Sequence, residues 1–221
     1  MTLDVRFHGH ACFSLERAGK RLVLDPFEPG SLGGAVQLPA LPDHFDAVLC
    51  THEHADHAAR HAVPSAADIG GRAEFAGIGI TSHAVFHDEH GGSLRGGTSN
   101  MLRLRSPEGT VLHCGDLGER PTSAALEWLR AVPIDVLLVP VGGYFTLGAD
   151  GAAELVSLLN PRVVVPCHSA DDGVALAQLS RRAPFTARYA SADVATLNAL
   201  TLPIDDAVAG VVVLRRIRST P

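Results

Sequence analysis

No stretch of this 221-residue chain approaches the roughly 20 consecutive apolar residues that a membrane-spanning helix needs, so no membrane association is expected. No basic excess is present either. The net charge of −6 leaves no electrostatic footprint for nucleic acid, and the one basic group, Arg215, Arg216 and Arg218, reads as a solvated tail. Cysteine is scarce and scattered. Cys12, Cys50, Cys114 and Cys167 form no close pair of the zinc-knuckle or redox kind and no disulfide framework, which points to a reducing cytoplasm. A secretory leader is also missing from the pattern: Met1-Thr2-Leu3-Asp4-Val5-Arg6-Phe7 alternates like a strand.

What remains is the composition of an ordinary folded protein, 46% hydrophobic and 19% charged, long enough for a single domain over 1–221. The first half reads mostly as strands. Phe13 and Leu15 alternate with polar neighbours, and Arg21 to Asp25 forms a second strand ending at Pro26. A Gly/Pro-rich loop covers Glu28 to Asp43, and Ala47 to Cys50 is a short buried strand. A short helix is expected over Ala58 to Ala62. Strands follow at Arg72–Phe75, Ile78–Val85, Met101–Arg105 and Thr110–His113, with a long glycine-rich loop from Asp88 to Ser99.

Beyond Pro121 helices and strands alternate. A helix starts near Thr122, Asp135 to Val139 is a strand, and Asp150 is a plausible cap for Ala152 to Leu159. Val163 to Val165 is another buried strand. Helices are then expected near Asp172–Arg182 and Asp193–Leu200, before a strand at Val211–Leu214. The pattern is that of a layered α/β protein.

Twelve histidines are many for this length, and they cluster in the first half. The dense run is Thr51-His52-Glu53-His54-Ala55-Asp56-His57, directly after a buried strand. Alternating imidazoles can reach one ion together, while Asp56 and His57 turn toward a second; imidazole suits zinc, iron or manganese, and a carboxylate hardens the second position. Four side chains cannot close two metal sites, so further ligands must come from other strand ends. Asp116, in His113-Cys114-Gly115-Asp116, and His168, after Val163–Val165, qualify, and one carboxylate at 116 could bridge both ions. One more histidine is needed, and spacing leaves His83, His87 and His90 open.

Here the chain resembles the metallo-β-lactamase superfamily, whose His-x-His-x-Asp-His hallmark stands as His52 to His57. Within it, the chain is most similar to the branch of metal-dependent hydrolases that includes the L-ascorbate-6-phosphate lactonase-like proteins. The likeness runs through Gly9-His10-Ala11-Cys12-Phe13, Leu24-Asp25-Pro26-Phe27, Phe86-His87-Asp88-Glu89 with Arg95-Gly96, His113 to Gly118, Asp135 to Gly143, and Pro166-Cys167-His168. The resemblance implies a four-layer αββα sandwich with the metals at one edge. It assigns His52, His54 and His87 to one divalent ion, Asp56, His57 and His168 to the other, and Asp116 to the bridge. Cys167 and Ser169 depart from the family's usual residues, which bears on the substrate more than on the metals.

Two ions of this kind, zinc first with manganese or iron as alternatives, imply a water activated as hydroxide that cleaves a small ester-like substrate, a lactone or a phosphodiester. Asp56 would position that water as well as ligate, and Asp116 would hold both ions. Asp25 is expected to support a ligand loop or a histidine N–H. His10 is expected to face the site or to be a hydrogen-bonded structural histidine. Cys50, Cys114 and Cys167 read as small buried residues, Arg95 and Asn100 as loop braces or contacts to an anionic substrate, and Tyr144 as a substrate wall. An RNA-processing nuclease, an iron redox enzyme and a metal-binding scaffold are the competing readings, and a homo-oligomer is compatible with the sequence.

Overall fold

A computed structural model describes residues 1–42 and 44–217. Asp43, the end of the expected loop, and Arg218 of the basic tail lie outside the described residues. The strands are β1 (Leu3–Gly9), β2 (Cys12–Arg17), β3 (Lys20–Leu24), β4 (Ala47–Leu49), β5 (Ala67–Asp68), β6 (Glu74–Phe75), β7 (Ile78–Phe86) and β8 (Thr98–Ser106). They continue as β9 (Gly109–His113), β10 (Val136–Pro140), β11 (Val163–Cys167), β12 (Val194–Leu197), β13 (Leu200–Leu202) and β14 (Gly210–Leu214). Among the described residues four helical segments accompany them: α1 (Ser31–Gly34), interrupted by left-handed Leu32 and Gly33, α2 (Ser123–Arg130), α3 (Ala149–Leu159) and α4 (Ala183–Thr186).

Two sheets face each other. One runs β13-β1-β2-β3-β4-β5, the other β12-β14-β11-β10-β9-β8-β7-β6. Side-chain alternation builds three apolar layers from them. Leu3, Val5, Phe13, Leu15, Leu22 and Leu24 of the first sheet meet Ile78, Leu104, Val111, Val136, Leu138 and Val163 of the second in the central core. The other faces of the second sheet's strands, through Leu112, Leu137, Val139 and Val164, bury against Ala125 and Leu129 of α2, Leu155 of α3 and Phe185 of α4. Parallel strands β10 and β11 are therefore covered on both faces, which is why they read as unbroken apolar runs. Beyond the first sheet, Cys12, Val23 and Val48 pack under Phe27, Val36, Leu38, Leu41 and Phe45. The layers are those of an αββα sandwich, with one outer layer built by α2 to α4 and the other largely by irregular chain.

Local chemistry sets the helix ends. Thr122 caps α2 by accepting from Ala125 N, and the helix stops before Pro133. Asp150 does not cap α3: Gly148 occupies the N-cap and Asp150 lies in the first turn, where its charge still suits the helix dipole. Asn160 ends α3 in the left-handed region at φ 46°.

Several expected elements changed. The helix over Ala58–Ala62 shrinks to a 3-10 turn at Arg60–Ala62, the strand from Arg72 shrinks to β6, and β5 was not anticipated. The helix expected near Asp172–Arg182 is only a 3-10 turn over Ala170–Asp172, ended by Gly173 at φ 92°. The helix expected at Asp193–Leu200 is instead β12 and the start of β13. Val194–Leu197 pairs with Val211–Leu214, and Leu200 pairs with Val5. A waiting strand partner overrides weak local preference.

Where the sheets meet at one end, Arg17 of β2 ties the first sheet to the β8–β9 turn. Its Nε and Nη2 donate to the two carboxylate oxygens of Glu108 at 2.8 and 3.1 Å, and Nη1 donates to Ala76 O. The hydrogen bonds from Arg17 hold the Glu108 carboxyl down at about 2, against an ordinary value of 4.5. A folded value below the unfolded one stabilises the protein above the unfolded pKa, and that contribution fades as pH falls toward the folded value. Glu108→Gln should therefore lower Tm at neutral pH, with the gap from wild type closing between about pH 4.5 and about pH 2. Thermal melts across that range measure it, and a gap that widens in acid refutes the assignment.

Candidate metal centre

Six strand ends converge at one edge of the sandwich. His10 follows β1, Asp25 follows β3, the 51–57 loop follows β4, His87 follows β7, Asp116 follows β9 and His168 follows β11. Beneath them lies Asp25, fully buried and in the left-handed region at φ 47°. One carboxylate oxygen accepts from Thr51 N at 2.7 Å. The other accepts from Thr51 Oγ1 at 2.8 Å, His57 Nδ1 at 3.0 Å and His113 Nε2 at 3.0 Å. Burial resists the charge, but bonds from His113 and His57 hold the Asp25 carboxyl far below the usual range.

An ionised Asp25 has no proton to give, so His57 must donate through Nδ1, and its Nε2 is left free to face the centre. The same logic orients His52. Thr51 spends its hydroxyl proton on Asp25 and so accepts from His52 Nδ1 at 2.9 Å, turning His52 Nε2 toward the centre. This is the outer support that metal-binding imidazoles require.

At the centre, His52, His54 and His87 form one group of atoms close enough to share an ion, and Asp56, His57 and His168 with His10 form another. Asp116 stands between the groups. Its Oδ2 lies 3.3 Å from His168 Nε2, 3.7 Å from His87 Nδ1 and 3.9 Å from His52 Nε2, while Oδ1 lies 3.3 Å from His57 Nε2. His57 Nε2, both ring nitrogens of His87 and His168, and Asp116 Oδ1 are buried without a hydrogen-bond partner. Orphaned polar atoms of this density are costly unless something else binds them, and a cation fits their chemistry.

Electrostatics points the same way. Burial opposes a charge on His57, yet Asp116, Asp56 and Asp25 hold its pKa up to about 10. Burial likewise opposes the charge of Asp116, but His168 and His57 keep its carboxyl well below the usual range. Burial and the neighbouring His57 push His52 down to about 3. The buried carboxylates thus demand positive charge at this spot, which divalent ions would supply.

The remaining candidates sort by position. His83 is half-buried and stacks on Trp128 with ring centroids 5.4 Å apart, and His90 is exposed in the loop; neither joins the centre. Asn100 braces rather than binds, donating through N and Nδ2 to Thr51 O. Arg95 lines a cavity of about 380 Å³ over the centre, together with Leu32, Phe145, Leu176 and the faces of His54, Asp56, His87, Asp116 and His168. Its guanidinium sits 4.0 Å over the Tyr144 ring and also bonds Tyr144 O. Gly96 lets this loop touch the centre, since a Cβ there would lie 2.7 Å from His54 Cε1.

All four cysteines are free, and burial pushes the Cys12 and Cys167 thiols well up and Cys50 up to about 12, so none is a ready thiolate ligand. Three supporting residues escaped the sequence reading: Thr51, His113, and Ser99, whose Oγ accepts from Asp116 N at 3.1 Å. Thr51 alone carried a signal, a hydroxyl directly between a buried strand and the histidine run.

The chain belongs to the metallo-β-lactamase superfamily: residues 4–168 match the model of the Beta-lactamase superfamily domain. With its candidate ligands gathered at one edge, it stands among the metal-dependent hydrolases of that superfamily. It is similar to the UPF0173 metal-dependent hydrolase of Pyrococcus abyssi, 33% identical over 195 residues that cover 75% of this chain and 84% of that one. A metallo-β-lactamase superfamily protein of Thermotoga maritima superposes with a TM-score of 0.72 at 30% identity, over 96% of this chain and 98% of that one. Igni18, a metallo hydrolase of Ignicoccus hospitalis, shares the fold at 20% identity and a TM-score of 0.63, over 99% and 97% of the two chains. No helix among the described residues is long and apolar enough to cross a membrane.

Proposed function

We propose that the centre holds two divalent ions, one by His52, His54 and His87 and the other by Asp56, His57 and His168, with Asp116 reaching both. The enzyme then hydrolyses a small ester-like bond, a lactone or a phosphodiester, with the whole chain acting as one domain. The observation that carries this reading is Asp116, a buried carboxylate facing histidines of both groups, with Oδ1 unpartnered. Divalent ions so held would lower the pKa of a water toward neutrality and polarise a carbonyl or phosphoryl oxygen. An imidazole-rich set with two carboxylates favours zinc, with manganese and iron as alternatives.

The chain's own contributions are positioning and exclusion. Asp56 lines the cavity while its Oδ2 bonds His10 Nε2, and it is placed to position an attacking water. Leu32, Phe145 and Leu176 make the walls apolar, which strengthens electrostatics inside and limits the substrate to a small molecule. The acidic net charge of −6 weighs against tRNA as substrate. Four free cysteines fit a reducing cytoplasm.

Metal analysis of the purified protein, followed by assays against lactones, phosphodiesters, thioesters and β-lactams under identical conditions, tests the reading. Chelation should abolish hydrolysis and added zinc should restore it; full activity in metal-depleted protein sinks the proposal.

A further inference from the structure

We infer that His10 is a positioning residue for the half of the centre formed by Asp56, His57 and His168, donating from Nε2 to Asp56 rather than ligating an ion. This rests on the two-ion reading above. His10 is fully buried, and its Nε2 lies 2.9 Å from Asp56 Oδ2. The protein bonds Asp56 through that oxygen, while His57 Nε2 stands farther from it, at 3.7 Å. Asp56 and His168 line the cavity and His10 does not, so the ring stands behind the carboxylate.

The same residue also holds His168. Its carbonyl accepts from His168 N at 2.9 Å, and the two rings lie 4.2 Å apart. Both backbones are left-handed, at φ 53° and 51°, a conformation that non-glycine residues keep only when their surroundings impose it. Those surroundings are visible. His10 N donates to Asp172 O, and Asp172 is in turn fixed by Ser169 N and Oγ at 2.9 and 2.8 Å and by Arg182 Nη2 at 2.9 Å. Preceding Gly9 is at φ 116°, and a Cβ there would lie 2.7 Å from the Leu38 side chain and 3.1 Å from Asp172 O, the same carbonyl that His10 N bonds. His10 thus joins three chain segments, the β1–β2 turn, the 51–57 loop and the end of β11. Outer-shell partners of this kind set ligand orientation and metal affinity.

Zinc alone, titrated into the full-length protein against a competing chelator, tests the inference by stoichiometry and affinity. The wild type should take up two ions. His10→Phe keeps a ring but not the donor, and should hold one ion normally while the other weakens by about 10- to 100-fold. His10→Gln restores a donor and should recover most of that loss.

Nitrogen NMR of the wild-type imidazoles gives a readout independent of any variant: His10 Nε2 should stay protonated as zinc is added. A His10→Phe protein that binds both ions normally, a His10→Gln protein as weak as His10→Phe, or loss of the Nε2 proton on zinc binding overturns the inference alone. A wild type that takes up fewer than two ions overturns the two-ion reading, and the inference with it.

Discussion

Asp116→Ala should lower turnover by roughly 10³-fold or more, the loss of about 4 kcal/mol of transition-state stabilisation. The Asp116 carboxylate faces histidines from both groups, with His168 and His57 at 3.3 Å and His87 at 3.7 Å. Alanine removes the carboxylate that faces those imidazoles, and with it the group that the proposed centre places between its two ions. Both kcat and metal content should fall, because in the proposed centre the side chain holds the ions rather than the substrate. Asp116→Asn keeps the shape but halves the acceptor capacity and drops the charge, so it should rescue little. Steady-state kinetics with metal analysis on each variant measures this. Turnover within a few-fold of wild type in Asp116→Ala would refute the assignment.

The second large effect belongs to Asp25, which sits fully buried under the centre. Its carboxylate accepts four hydrogen bonds, from Thr51 N, Thr51 Oγ1, His57 and His113, entirely away from water. Asp25→Ala strands all four donors in a dry interior and removes the charge that holds the His57 proton on Nδ1. Breaking one side of such a buried charged network costs about 3–5 kcal/mol. The melting temperature should fall accordingly, and metal affinity should fall with it, since His57 loses its orientation. Denaturant unfolding of metal-free protein isolates the first effect and zinc titration the second. A variant as stable as wild type would show that the network is not what holds the 51–57 loop.

The two effects differ in how far the sequence announced them. Asp116 is legible as a candidate because it repeats a local pattern: an apolar strand, then a turn, then a side chain able to bind a metal. His52, His54, His57 and His168 follow the same rule. Asp25 also ends a strand, and a supporting role for it was readable, but its partner His113 lies 88 positions away and nothing local links the two. Ser99 was unreadable for the same reason.

The fold divided in a comparable way. Runs such as Val136–Pro140 and Val163–Cys167 announce strands because burial on both faces leaves no polar position. The segment Asp193–Leu200 carries no such mark, and only pairing with β14 and β1 makes it strand. The glycine-rich loop from 88 also had an invisible order: Asp88 accepts from His90, Gly92 and Leu94 N, which shapes it to carry Arg95 over the centre.

The histidine run from His52 to His57 is legible in the sequence alone as candidate metal chemistry at a strand end, because ligand type and strand periodicity are local properties. The choice among His83, His87 and His90 was not: spacing left it open, resemblance chose His87, and only the folded chain puts His83 against Trp128 and His87 near Asp116. His10 is the sharpest case. It stands 46 positions from the carboxylate it bonds, and a donor and an acceptor that far apart become partners only when the first sheet brings the ends of β1 and β4 to a common edge.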